Sequence, residues 1–306
     1  MTDPIVTHAL GKTFGKRFAL HDVSMRVPTG QAVGLIGANG AGKSTLLKVL
    51  VNLQVPCFGR AEVLGHDSRA LEAAMFQRIG YMAEGQHLPL VATVADLLAY
   101  CRPFYEHWDD ALAARLLRTL DLSPATGLPR GSRGERMKAA LVATLAFHPE
   151  VLILDEPLEG LDPLTREQVV DGLLELVSAE GTTVLLASHD LDVLERLLDE
   201  VAMLHDGGLV FQERLDALQD RYRLVEVTGA APIALDTLPD GCIDVREVAG
   251  GVRFLATDFE GDHVPERLQY AFPGARLHVT RPALREAFVA HARTLRQGPG
   301  ATRGAA

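Results

Sequence analysis

The 306-residue sequence has no run of about eighteen apolar residues, so no segment is expected to cross a membrane as a helix. Its three cysteines, Cys57, Cys101 and Cys242, are odd in number and far apart. That excludes a disulfide framework or a cysteine metal cluster and fits a reducing cytosol. The opening MTDPIVTHAL has no basic stretch followed by an apolar one, so no secretory leader is expected. Positive charge is in deficit, with a net charge of −10 at pH 7, which argues against a dedicated nucleic-acid binder. Internal repeats are also lacking. What remains is 47% hydrophobic residues, enough for a sizeable core and too many for a disordered chain.

Residues 1–218 alternate buried-strand runs with amphipathic helical stretches, the pattern of an α/β domain. QAVGLIG (31–37), RIGYM (78–82), VLILD (151–155) and TTVLLAS (182–188) read as strands. Three of them run into loops carrying chemical groups, and an open parallel sheet puts its site at such carboxyl ends. A mostly helical insertion is expected at about 86–147, with WDDALAARLLRTLDL (108–122) its clearest helix. Residues 219–296 read as a small α/β domain. In it YRLVEVTG (222–229) and IDVREVAGGVRFLAT (243–257) supply strands, the latter a hairpin turning at Ala-Gly-Gly. PALREAFVAHARTL (282–295) predicts a helix presenting Leu284, Phe288, His291 and Leu295 on one face. The Gly- and Ala-rich tail, 297–306, is expected to be disordered.

GANGAGKST (37–45) has the spacing of a phosphate loop, with Gly37, Gly42, Lys43 and Ser44 in the required places. Closely spaced backbone N–H groups of Gly37, Ala38, Asn39, Gly40, Ala41, Gly42, Lys43, Ser44 and Thr45 can cradle phosphate, and the following helix turns its positive end to it. Lys43 is expected to reach the β- and γ-phosphates of ATP, and the Ser44 hydroxyl to bind Mg²⁺. In VLILDEP (151–157), Asp155 at a strand end is expected to hold Mg²⁺ through water. Glu156 is placed to polarise the attacking water. His189 ends a strand of the same sheet and can contact the γ-phosphate or the water.

With these motifs the chain resembles the ATPase subunit of an ATP-binding cassette (ABC) transporter over residues 4–290. Within that family, FYEHWDD (104–110) and RPALREAFVAH are similar to segments of the bacterial branch exporting antibiotics, drugs and bacteriocins. The resemblance implies a phosphate-loop α/β ATPase working as a head-to-tail dimer, with an identical copy or a paralogue. It also implies a separate transmembrane permease and a cytoplasmic place at the inner face of the cell membrane.

It further implies that GSRGE (131–135) is the signature capping ATP bound to the other copy. Ser132 and Gly134 keep the family pattern, while Gly131, Arg133 and Glu135 depart from it. The Arg133 charge can favour a triphosphate. SRGE also reads as a helix capping box, Ser132 with Glu135. Phe14, with Phe18 as competitor, matches the adenine-stacking aromatic, and either can be core. Glu84 stands where a glutamine usually touches Mg²⁺, and Gln86 is a possible substitute. Asp162 in EGLDP matches the interface D-loop. HLPLVATVADLL (87–98) is the candidate permease contact. The competing readings are a soluble regulatory or self-resistance ATPase and a phosphate-loop kinase.

Overall fold

The computed structural model describes residues 3–189, 191–229, 238, 241–248, 250–257, 259 and 266–297. The chain divides into two compact units, Met1–Gln212 and Glu213–Ala306. The sequence pattern puts this change of character near residue 218. The contact division comes earlier because a short helix at Leu215–Arg221 counts with the second unit.

In the first unit the chain runs β1 (Ile5–Phe14), β2 (Arg17–Val23), β3 (Arg26–Val27), β4 (Ala32–Ile36) and α1 (Lys43–Leu50). Next come β5 (Phe58–Val63), β6 (His66–Asp67), β7 (Ile79–Met82), α2 (Val94–Cys101), α3 (Asp110–Thr119) and α4 (Arg133–Leu145). It ends with β8 (Val151–Asp155), α5 (Pro163–Glu180), β9 (Thr183–Ala187), α6 (Leu191–Leu194), β10 (Glu200–His205) and β11 (Gly208–Arg214), the last reaching into the second unit.

β4, β8 and β9 are buried at every residue, as expected of continuous apolar strands covered on both faces. They form the middle of a sheet ordered β11-β10-β4-β9-β8-β7, in which the β10–β4, β4–β9, β9–β8 and β8–β7 pairs are parallel. A second sheet, β2-β1-β5-β6 with β3 on β1, is built from antiparallel pairs. One core holds residues of both sheets and of α1 between them: Ile5 and Leu20 on one side, Val33 and Ile153 on the other, and fully buried Leu46, Leu47 and Leu50 in the middle. Burial of such a side chain contributes about 2 kcal/mol. The loop ahead of α1 is therefore fixed from both sheets.

The span expected to be helical holds α2, α3 and α4. α3 starts where Asp109 accepts the backbone N–H groups of Ala111 (2.7 Å) and Leu112 (2.9 Å), satisfying two amides a helix start leaves open. α4 is buried continuously from Met137 to Leu145 and packs against α2 and α3.

The second unit holds α7 (Leu215–Arg221), β12 (Arg223–Thr228), β13 (Cys242–Val248), β14 (Gly251–Ala256), α8 (Glu266–Ala271), β15 (Arg276–Thr280) and α9 (Leu284–Gln297). Its sheet is ordered β13-β14-β12-β15 with antiparallel neighbours. Val225, Val227, Phe254, Leu268 and Phe272 form its core. The α9 face differs from the one expected: Leu284, Ala287 and Ala290 are buried, whereas Phe288 is half-buried and Leu295 is 37% exposed. Two alanines set the buried stripe, because a close approach to the sheet favours small side chains over larger ones one position along. The tail expectation lies outside the described residues, apart from Gln297, which ends α9.

Candidate active site

Parallel register brings three strand ends together. Ala187 at the end of β9 lies opposite Leu35 of β4 on one side and Asp155 of β8 on the other. A cavity of about 550 Å³ opens over these ends, a size suited to a small-molecule ligand. Of the residues expected from the sequence, Phe14, Ala38, Asn39, Gly40, Ala41, Gly42, Lys43, Ser44, Thr45, Glu84, Glu156 and His189 line it.

The loop geometry depends on two glycines. Gly42 has φ 107°, and a Cβ there would come within 2.5 Å of the Ala19 carbonyl oxygen. A Cβ on Gly37 would come within 2.5 Å of the Leu204 carbonyl oxygen. Only glycine fits either place. α1 begins at Lys43, so its unpaired first amides and positive end belong to the same loop. Lys43 Nζ donates to the Gly37 carbonyl at 2.8 Å and stands 3.4 Å from Glu156 Oε1. Both side chains are nearly buried, at 6% and 8% exposure. Removing either partner would leave an uncompensated buried charge.

Glu156 adopts φ 50°, an uncommon conformation for a residue with a Cβ. It is held there by its N–H, which donates to the Ala187 carbonyl at 2.9 Å. Its Oε2 accepts the His189 backbone N–H at 3.2 Å and lies 2.9 Å from His189 Nδ1. One carboxylate thus bridges Lys43 and His189.

Asp155 Oδ1 accepts the Ser44 hydroxyl at 3.0 Å, while its buried Oδ2 has no hydrogen-bond partner. Burial pushes the Asp155 carboxyl up. The Ser44 hydroxyl opposes this, the Glu84 charge adds to it, Lys48 opposes and Glu156 adds. The neighbouring Tyr81 hydroxyl is also buried without a partner, and burial, with the Asp155 charge, pushes it up to about 12. A buried carboxylate oxygen without a donor, beside a hydroxyl and in excess negative charge, fits a hard divalent cation. Among the described residues no group of three or more His, Cys, Asp or Glu side chains could hold a metal. The cation's remaining oxygens would come from nucleotide and water.

The sequence left alternatives open at several positions. Phe14 and Phe18 are 51% and 54% exposed, so neither is core; Phe14 lines the cavity and Phe18 does not. Glu84 lines the cavity, whereas Gln86 accepts the Ala83 N–H at 3.3 Å and lines a separate groove. Ser132, Arg133, Gly134 and Asp162 do not line the cavity of their own chain. Ser132 caps α4: its hydroxyl accepts the Glu135 N–H at 3.1 Å, and its own N–H donates to Glu135 Oε2 at 2.7 Å. That backbone bond from Ser132 comes first in holding the Glu135 carboxyl below its usual range. Asp162 caps α5, accepting the Thr165 hydroxyl at 2.7 Å and its N–H at 3.0 Å.

Arg17 and Glu159 also line the cavity, and the sequence reading passed over both as site residues. Arg17 faces Phe14 across the β1–β2 hairpin, and its place in KTFGKR beside Phe14 was the available signal. Glu159 is the residue of EGLDP that departs from small polar side chains, and its carboxylate lies 2.7 Å from Arg133 Nη2.

A strand, a glycine loop and a helix around a buried lysine, with Asp-Glu on the neighbouring strand end, define a phosphate-loop nucleoside triphosphatase. Residues 20–159 match the family model described as ABC transporter. The nickel import ATP-binding protein NikO of Rhodobacter capsulatus is 36% identical over 209 residues, 62% of this chain and 80% of NikO. The Nod factor export ATP-binding protein I of Rhizobium leguminosarum bv. viciae is 29% identical over 294 residues, 92% of each chain. A solved ATP-binding subunit of an ABC transporter superposes with a TM-score of 0.64 at 28% identity, covering 70% of this chain and 91% of that one. The chain belongs to the ABC transporter family and is an ATP-binding subunit with ATP hydrolase activity.

Proposed function

We propose that this ATPase powers a separate membrane permease for export, acting as a head-to-tail pair at the cytoplasmic face of the cell membrane. Phe14 stacks on adenine, and residues 37–45 hold the phosphates through backbone N–H groups and Lys43. On ATP binding Lys43 exchanges Glu156 for phosphate, which frees the carboxylate to take a proton from water. His189 keeps that carboxylate aimed. Mg²⁺ would be held by Ser44 and Asp155 with Glu84 nearby, and it would supply neutralisation of phosphate charge. Ser132, Arg133 and Gly134 cap the γ-phosphate on the other copy, and Asp162 lies along the shared interface.

The observation that carries this reading is a built phosphate cradle whose signature segment stands outside it. Gly134 has no positive φ, and a Cβ there would meet nothing closer than 3.5 Å. Nothing within the chain requires glycine at 134; a phosphate approaching from a second copy does.

Export is supported by coverage: the Nod factor export relative matches across both units, while the nickel import relative matches 62% of the chain. The segment 87–98 is the permease contact. It borders a groove of about 370 Å³ lined by Gln86, Leu88, Leu90, Leu128 and Met137, with Leu90 fully exposed. No helix among the described residues is long and apolar enough to cross a membrane, so the permease is another chain.

Steady-state ATPase activity of the wild type and Glu156→Gln, with particle size in ATP and Mg²⁺, tests the proposal. We expect loss of about 10²–10⁴ in rate and a trapped ATP-dependent dimer in the variant. A variant that hydrolyses at the wild-type rate, or stays monomeric at saturating ATP, would refute it.

A further inference from the structure

The second unit contains a cleft with no part in ATP chemistry. Its cavity of about 230 Å³ lies between α9 and strands β13 and β14. Arg246, Arg253, Arg285 and Arg293 line it together with two carboxylates, Asp244 and Glu286. Its floor is apolar, with Phe254, Leu255 and Ala290 almost fully buried.

The pairing leaves positive charge in excess. Arg246 and Arg293 share the single carboxylate of Asp244, the second at 3.4 Å. Arg253 is 2.9 Å from Glu286 and 3.4 Å from Glu226. Arg246, Arg253 and Arg293 keep 45%, 37% and 45% of their side-chain surface in water. Ion pairs this exposed add little to stability, so folding does not account for four guanidinium groups around an apolar floor.

Asp244 adds a second observation. It adopts φ 51°, next to a register shift in the β13–β14 ladder between Ile243 and Arg246. Bulges and left-handed non-glycine residues concentrate where a strand must aim side chains at a site. The strained residue here is the one whose 16%-exposed carboxylate gathers two arginines at the cavity.

We propose that this cleft binds a small molecule carrying a phosphate or carboxylate on a compact apolar body. The anionic head displaces Asp244 from Arg246 and Arg293 and takes their forked N–H donors, the geometry guanidinium offers to phosphate and carboxylate. The apolar body covers Phe254 and Leu255. The volume falls below the range of drug-sized sites, which limits the ligand to about a single ring.

Phenyl phosphate is the probe, titrated calorimetrically into the full chain with a non-hydrolysable ATP analogue saturating the phosphate loop. We expect one site per chain, bound at least about tenfold more tightly than inorganic phosphate or benzyl alcohol, each of which supplies one half of the recognition. R246Q/R293Q should weaken binding at least about tenfold, while D244N should tighten it by freeing both guanidinium groups. The two variants therefore move in opposite directions, which unfolding cannot mimic. Absence of phenyl phosphate binding overturns the proposal, as does binding unchanged in R246Q/R293Q or weakened equally in D244N. None of these results bears on the ATPase site.

Discussion

The phosphate loop and the signature segment both depend on glycine, for opposite reasons. At Gly37 and Gly42 the chain's own backbone forbids a Cβ, with the Leu204 and Ala19 carbonyls each 2.5 Å away. At Gly134 the nearest atom to a Cβ is the Thr165 methyl at 3.5 Å, an ordinary contact. One region is enforced by its own fold. The other is self-sufficient as a helix start, with Ser132 and Glu135 satisfying each other's backbone. A glycine that its own chain does not demand points to a requirement from outside it.

Three substitutions or conditions sharpen or break that contrast. Gly42→Ala should have the largest effect on folding, lowering stability by about 3 kcal/mol or more and abolishing ATP binding, because the added methyl meets two strands' worth of fixed backbone. Chemical denaturation and equilibrium binding measure both, and a stable, ATP-binding variant would erase the distinction.

Acid gives an intermediate effect confined to the second unit. Burial, with Arg221 adding, holds His291 down at about 4. The unfolded chain, titrating near 6.5, takes up the proton first, so stability is fully present above about pH 6.5 and falls as pH drops toward 4. Between pH 7 and pH 5 the second unit should lose about 2 kcal/mol, and His291→Asn should flatten that slope. Urea unfolding followed by hydrogen exchange in β12 and β14 reads it, and an equal slope in the variant would assign the loss elsewhere.

Gly134→Ala should change stability least, within about 0.5 kcal/mol, since the site is exposed helix with room for a methyl. Its ATPase activity should nevertheless fall at least about tenfold, with ATP affinity of the isolated chain unchanged, the pattern of a lost interaction made only in the paired state. Loss of folding instead of turnover would make Gly134 an ordinary structural residue.

Legibility followed locality. The four strands read from apolar runs are β4, β7, β8 and β9, because a strand buried on both faces needs no partner to declare itself. The capping box at Ser132 was equally visible, since both partners lie within one turn. α9 was misread by one position on its face: Ala287 and Ala290, not Phe288 and Leu295, meet the core. Amphipathic pattern favours the larger apolar residue, whereas distance to the sheet decides which one fits.

By itself the sequence determined the phosphate loop, the Asp-Glu strand end, His189 and the two-unit organisation, since each is written in contiguous residues. Only the tertiary structure decided that Glu156 bridges Lys43 and His189, and that Glu84 rather than Gln86 lines the nucleotide cavity. It also decided that Glu159 reaches Arg133 and that four arginines gather over one apolar floor. Those relations join residues separated by tens of positions. Sheet register and helix packing set such distances, and no local pattern of residue types contains them.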